Sequence, residues 1–410
     1  MFHLKNKGDW IILFDRIQEY ALYALIFFLP IGKALIEVFF GIAFFGFFVK
    51  KILKPDFKFL KSPPNLFLLL FFIFSALSMF NSGIHLAKSA DALFTKWFEY
   101  IWIFLLMQDS FSIDEKRARN ALVIFVAMSA VVGLDGLSQK FLGVEFLRGR
   151  PMMQIKEGIM AIRVAFNHYN SFGAYLVVML PIVMVILVAG RINKQLRIGL
   201  FFLAVILGFC LLFTFSRGSW LGFLTAGFFF LILSRNFKVI IPVAIIFLIS
   251  LLSIPQLRER FLFTFQAGGD ATRLAIWQGT VNMIKENPFL GKGVGTFMDY
   301  FPKYVPNMGA QYAHNSYLQI WAESGAFALL AFLAFWGALL TQGIRKFFKN
   351  DDAVLLGVIC AIIGLLAHSF FDNQFYSLQL SALLWSMAGI LSALSQRKKD
   401  NIERKVKTHG

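Results

Sequence analysis

The chain has 410 residues, 58% of them hydrophobic, with 51 phenylalanines and a formal net charge of +17. Such a composition, with a mean hydropathy of +0.68, excludes an ordinary soluble domain. The charge would suit a nucleic-acid binder, but the basic residues sit in short clusters between apolar stretches, which argues against that partner and for a polytopic membrane protein.

From the N-terminus, residues 1–17 carry Lys5, Lys7, Asp9, Asp15 and Arg16 and run into apolar sequence without a small-residue cleavage site, so no cleavable signal peptide is expected. Twelve spans follow, at roughly 18–31, 34–49, 65–80, 92–108, 120–141, 170–189, 198–214, 219–234, 239–254, 317–340, 353–371 and 376–394. Helices are the expected form, because they satisfy their own backbone hydrogen bonds in lipid. Cys210 and Cys360 both lie inside spans and read as core residues, neither disulfide nor metal ligands. With the N-terminus in the cytoplasm, alternate connections hold Lys50, Lys51, Lys54, Lys58 and Lys61, then Lys116, Arg117 and Arg119, then the clusters at 191–197, 235–238 and 345–349. By the positive-inside rule both termini then face the cytoplasm. The predicted architecture is an all-α integral membrane protein: an N-terminal segment 1–17, a membrane domain 18–396, and a basic tail 397–410. A long extracytoplasmic loop, about 256–313, separates spans nine and ten.

Cations left on the outer side then need a reason to be there. Arg148, Arg150, Lys156 and Arg163 lie in the loop 143–168, Arg217 in a very short turn Phe215-Ser216-Arg217-Gly218-Ser219-Trp220, and Arg273 in the long loop. Arginine's planar fork binds phosphate bidentately and stays charged in a partly dry site. Snorkelling to headgroups is the plain alternative for Arg217, and the solvated face of a helix for Arg273. That helix is expected over 271–286, lying on the membrane surface through Leu274, Trp277, Val281 and Ile284. The loop continues Asn287-Pro288-Phe289-Leu290-Gly291-Lys292-Gly293-Val294-Gly295, where three alternating glycines suit either a phosphate cradle or a turn packed on the bundle. His314-Asn315-Ser316-Tyr317 then opens span ten, with Glu323-Ser324-Gly325 inside it. An imidazole here can accept and return protons near neutrality, although a helix cap or a headgroup-level histidine would look the same.

The ordered series Ser216-Arg217-Gly218, Arg273 with Trp277, Asn287-Pro288 with Gly291, Gly293 and Gly295, and His314-Asn315 with Gly325 resembles the O-antigen ligase and polymerase superfamily of membrane glycan transferases. An upstream stretch, Arg163 through Asn167, His168, Tyr169 and Asn170 to Gly173, is similar as well, so that the resemblance covers about 130–390. The departure is at Ala328 and Leu329, where the ligase pattern has a glycine and a small polar residue. The resemblance implies transfer of a glycan from a polyprenyl diphosphate to an acceptor hydroxyl at the outer face of the inner membrane. The acceptor would be lipid A-core in the ligase branch, which the twelve spans favour, and a second lipid-linked glycan in the polymerase branch. His314 would be the general base, with Arg217 and Arg273 on the departing diphosphate. Arg163, Asn167, Asn170, Asn315, Tyr317 and Trp277 are the candidate substrate-binding residues. No cofactor and no metal is expected, and direct displacement implies inversion at the anomeric carbon.

Weaker candidates are His368 with Asp372, four apart and hence on one helix face, and Asp135 with Gln139 in span five. A lipid-linked glycan flippase is the non-enzyme rival, but it would more often show an inverted repeat and mid-membrane ionisable groups, whereas here the candidates gather at one face.

Overall fold

The computed structural model describes residues 6–235, 245, 247–263, 271–306, 308 and 310–396. The long helices in chain order are α1 (Lys7–Phe28), α2 (Lys33–Leu53), α3 (Pro63–Ser78), a short α4 (Leu86–Asp91), α5 (Phe98–Phe111), α6 (Glu115–Leu142), α7 (Tyr169–Ala189), α8 (Lys194–Phe213) and α9 (Arg217–Ser234). There follow α10 (Pro255–Leu262), α11 (Ala271–Glu286), a single turn α12 (Phe297–Tyr300), α13 (Ser316–Asn350), α14 (Ala353–His368) and α15 (Leu378–Ser395). Among the described residues, seven helical stretches are long and apolar enough to cross a membrane, and α14 is a shorter apolar helix. The protein is thus an all-α, multi-pass membrane protein. Helices overlie the expected spans; of the ninth, 239–254, residues 239–244 and 246 lie outside the described residues, and 247–253 are helical. The fourth differs in form: a π-helical turn over Ala92–Trp97 joins α4 to α5.

Local sequence explains the ends. Asn6 and Asp9 form a reciprocal capping box on α1, Asp114 caps α6, and Gly143 ends it in the left-handed conformation. In the loop after α6, strands β1 (Met153–Lys156) and β2 (Ile159–Ala161) form an antiparallel hairpin, a small addition to the helical expectation. Gln139 holds this loop, accepting from the Arg163 and Val164 amides at 2.7 and 2.9 Å and donating to the Arg150 and Pro151 carbonyls. Asp135 accepts from the Phe146 amide. Both span-five residues therefore shape the loop.

Packing pairs α1 with α2, α3 with α13, α5 with α15, and α14 with both α7 and α9. Of the seven long stretches α15 and α7 are the most enclosed, whereas α8 turns Phe201, Phe202 and Val205 outward. Cys210 and Cys360 are buried and unbridged. At one end of the bundle a buried charge cluster ties four helices: Lys50 Nζ donates to Asp15 at 3.0 Å, Gln18 at 2.6 Å and Asp109 at 2.6 Å. There too Lys51 pairs with Asp109, and Arg117 with Asp15 and Glu19. Helix α6 carries Arg117 at this end and the hairpin loop at the other.

Candidate functional site

The opposite end holds the residues the sequence singles out. Ser216 caps α9, its hydroxyl accepting from the Ser219 amide, so that Arg217 stands at the first helical position. A Cβ on Gly218 would come within 2.8 Å of His368, which shows why only glycine lets α9 approach the end of α14 here. His168 caps α7 through Nδ1, which accepts the Asn170 amide at 3.1 Å and places Asn170 in the first turn. These two helix starts and the end of α14 surround a cleft, open to solvent, whose lining includes Asn170, Arg217, Arg260, Arg273 and His368. Arg217 also stacks over the Phe263 ring, 5.6 Å from its centroid, and Arg260 donates from Nε to the Phe215 carbonyl at 3.2 Å. The lining thus contains three arginines and, among the described residues, no carboxylate.

Helix α11 spans 271–286 as expected, but its buried face differs. Ile276, Gly279, Thr280, Met283 and Ile284 are enclosed, whereas Leu274 is 61% exposed. The reason is the segment Phe301–Val305, which closes over Gly279 and shifts the apolar contact by about a third of a turn. Trp277 meets Phe370 edge-on, and Arg273 one turn earlier reaches the cleft.

His314 lies just before α13 with φ +49, a left-handed conformation uncommon for residues with a Cβ. Its Nδ1 is 3.4 Å from Asp372 Oδ1, and its side chain is 44% exposed. Asp372 corrects the sequence reading: α14 ends at His368, so Asp372 lies in the following turn, off the helix face, and pairs with His314. Burial raises the Asp372 carboxyl, but the His314 hydrogen bond and the charges of His368 and His314 outweigh it and bring the pKa down to about 2. Burial lowers the pKa of His168, with Asp372 pulling the other way and His314 and Arg163 adding to the fall. That electrostatic coupling joins the helix-start cap to the His314–Asp372 pair. His368 Nε2 lies 3.3 Å from Ser219 Oγ in the cleft wall.

The remaining candidates have local partners. Asn315 caps α13, its Oδ1 accepting from the Tyr317 and Leu318 amides at 3.0 Å. Tyr317 donates to the Leu366 carbonyl at 2.7 Å, tying α13 to α14. Asn167 accepts from Arg150 at 3.1 Å, and Arg163 donates to the Pro151 and Asn167 carbonyls.

Of the two readings of the glycine loop, the packed turn is the one observed. Gly325 has φ +82 and ψ 174 and breaks α13. The Lys292 and Gly293 amides donate to the Ala322 and Glu323 carbonyls that the break releases, at 3.0 and 2.8 Å, and the Ala326 amide donates to Pro288 at 2.9 Å. The amides offered by alternating glycines are therefore used inside the protein. Gly325 has no room for a Cβ, which would meet the Phe289 carbonyl oxygen at 2.1 Å. Sequence reasoning missed Arg260, which belongs to no motif, and the pairing of Asp372 with His314 across 58 residues.

Residues 202–333, which contain Arg217, Arg260, Arg273 and His314, match the family model described as O-antigen ligase. Over this region, about a third of the chain, the sequence is similar to the O-antigen ligase family. The O-antigen ligase of Salmonella typhimurium strain LT2 is 25% identical over 248 residues, covering 56% of this chain. The match spans 58% of that relative's length. Asp372 and His368 lie beyond the matched region of the superfamily model, and geometry alone joins them to the site.

Proposed function

We propose that this protein transfers a glycan from a polyprenyl diphosphate to an acceptor hydroxyl of lipid A-core at the outer face of the inner membrane. The observation that carries the reading is the His314–Asp372 pair coupled to a cleft lined by three arginines. Asp372 engages Nδ1 and leaves Nε2 to take the acceptor's proton, the same division of roles that a carboxylate-oriented histidine base uses elsewhere. The acceptor oxygen then forms its bond to the anomeric carbon as the bond from that carbon to the diphosphate oxygen breaks. The electron pair leaves with the diphosphate, and Arg217, Arg273 and Arg260 stabilise the charge it gains, as a metal ion does in other enzymes. A single displacement of this kind inverts the anomeric centre. Asn170 and Trp277, at the cleft and beside Phe370, are proposed to hold the sugar near the reacting carbon, whereas Arg163, Asn167, Asn315 and Tyr317 act by shaping the walls.

The test is reconstitution. Purified protein in vesicles, given a polyprenyl-diphosphate glycan and lipid A-core, is expected to yield the joined product, with chelator present or absent. A product made only from two donor molecules would assign polymerase activity instead. Movement of donor across the bilayer with no new glycosidic bond would overturn the enzymatic reading. Orientation is tested separately: cysteines replacing Met160 and Met298 should react with an impermeant reagent from outside, and those replacing Asp56 and Phe348 should not.

A further inference from the structure

We infer that Gln319, a buried residue one helical turn inside α13, is a positioning residue that sets the His314–Asp372 pair by gripping both of its flanks. The inference rests on the reading of His314 as the base. Gln319 Oε1 accepts two hydrogen bonds, from the Ala313 amide at 2.7 Å and from Asn373 Nδ2 at 2.8 Å. A single oxygen thus ties the residue before His314 to the residue after Asp372. The amide orientation follows from its partners: a backbone N–H can only donate, so the atom facing Ala313 is the oxygen. The nitrogen correspondingly donates to Glu323 Oε1 at 2.9 Å. Glu323 is held in turn by the Tyr376 hydroxyl at 3.0 Å and the Phe297 amide at 3.3 Å.

The need for such a clamp is local. A residue with a Cβ persists in the left-handed region when its surroundings over-determine it. Here Ser316 contributes too, its amide donating to the Ser369 carbonyl and its hydroxyl to the Asp372 carbonyl, both at 2.9 Å. Gln319 is 1% exposed and so acts through its neighbours, with no contact to substrate. Phe297 and the helix break at Gly325 bring the glycine loop into the same network, so this chain of bonds runs from that loop to the base.

A double-mutant cycle tests this. Gln319→Leu is expected to lower kcat by about 10–100-fold with donor KM within about 3-fold of the parent, the pattern for a group that matters only in the transition state. In an Asp372→Asn background the same change should cost less than about 3-fold, because the geometry it supports is already lost. Independently of activity, hydrogen exchange at the Ala313 amide should quicken in Gln319→Leu. Asn373→Ala, which removes one arm of the clamp from a half-buried position, should give a smaller, equally non-additive loss and carries the test if Gln319→Leu fails to accumulate. Additive losses, parental turnover, or an Ala313 amide that exchanges as in the parent would overturn the assignment. Full transfer by His314→Ala would instead sink the base reading itself, while leaving the exchange result to judge the clamp.

Discussion

The two ends of the bundle treat charge in opposite ways. At one end Lys50, Lys51 and Arg117 meet Asp15, Glu19 and Asp109, cation for anion, in a buried cluster that joins α1, α2, α5 and α6. At the other, three arginines line a cleft without a carboxylate among the described residues, and Asp372 near by in the fold is engaged by His314. Closely paired charges neutralise one another and leave little field for a ligand. Arginine forks gathered around an opening present planar sets of donors that suit an anion entering the cleft. The first arrangement fits a structural tie and the second a binding site.

The largest expected effect breaks the second arrangement at its base. His314→Ala should reduce transfer by roughly 10²–10⁴-fold, measured as product from polyprenyl-diphosphate glycan, with membrane insertion and donor binding retained. His314→Asn with near-parental turnover would return His314 to a capping role.

The first arrangement should break differently. Lys50→Met removes the cation that Asp15 and Asp109 share but leaves Arg117 on Asp15 and Lys51 on Asp109. The loss should therefore stay below that of a buried charge left without any partner, about 3–5 kcal/mol. The expected readout is a lower unfolding temperature in detergent, with turnover per folded molecule near that of the parent. A variant that keeps its stability but loses transfer would mean that the two ends are coupled.

Arginine-to-lysine changes sharpen the comparison further. At Arg217, Arg260 or Arg273 a point charge cannot reproduce the planar fork, so each lysine variant should lose about ten-fold or more in transfer if the cleft holds a diphosphate. Arg148 donates to the Ile31 carbonyl between α1 and α2, away from the cleft, and Arg148→Lys should cost less than about two-fold. Equal, mild losses at all four positions would favour diffuse contact with headgroups over a specific site.

How much of this was legible in the chain follows the range of the interactions. Helices and their ends were readable because apolar runs and caps are local: α7, α9 and α11 start within two residues of their expected positions. The arginines at 217 and 273 and the histidine at 314 stood out as polar residues at the edges of apolar runs. The partner of His314 did not, since regular helix spacing put Asp372 beside His368, whereas α14 stops at His368 and turns. Likewise the glycine loop suggested exposed amides, but its partners are carbonyls released by a helix break some thirty residues later. The buried face of α11 depended on Phe301 and Val305, which sequence periodicity within the helix cannot report.

The smallest expected effect concerns pH. The Asp372 carboxyl, at about 2 against an ordinary carboxylate, has a lowered folded-state pKa. A lowered carboxylate pKa contributes stability that is complete above the unfolded-state value and is lost as pH falls through the folded-state one. Between neutrality and about pH 5 Asp372 therefore stays ionised, and its contribution to stability there is flat. An acid-side decline of transfer should instead follow protonation of the base, which removes the acceptor for the hydroxyl proton. Rate profiles of the parent should accordingly fall with one proton on the acid side while the unfolding temperature changes little. In Asp372→Asn the stability lost below about pH 4 should shrink, because the group that titrates there is gone. An acid limb that moved with stability in the parent would trace the loss to unfolding and remove the imidazole from the argument.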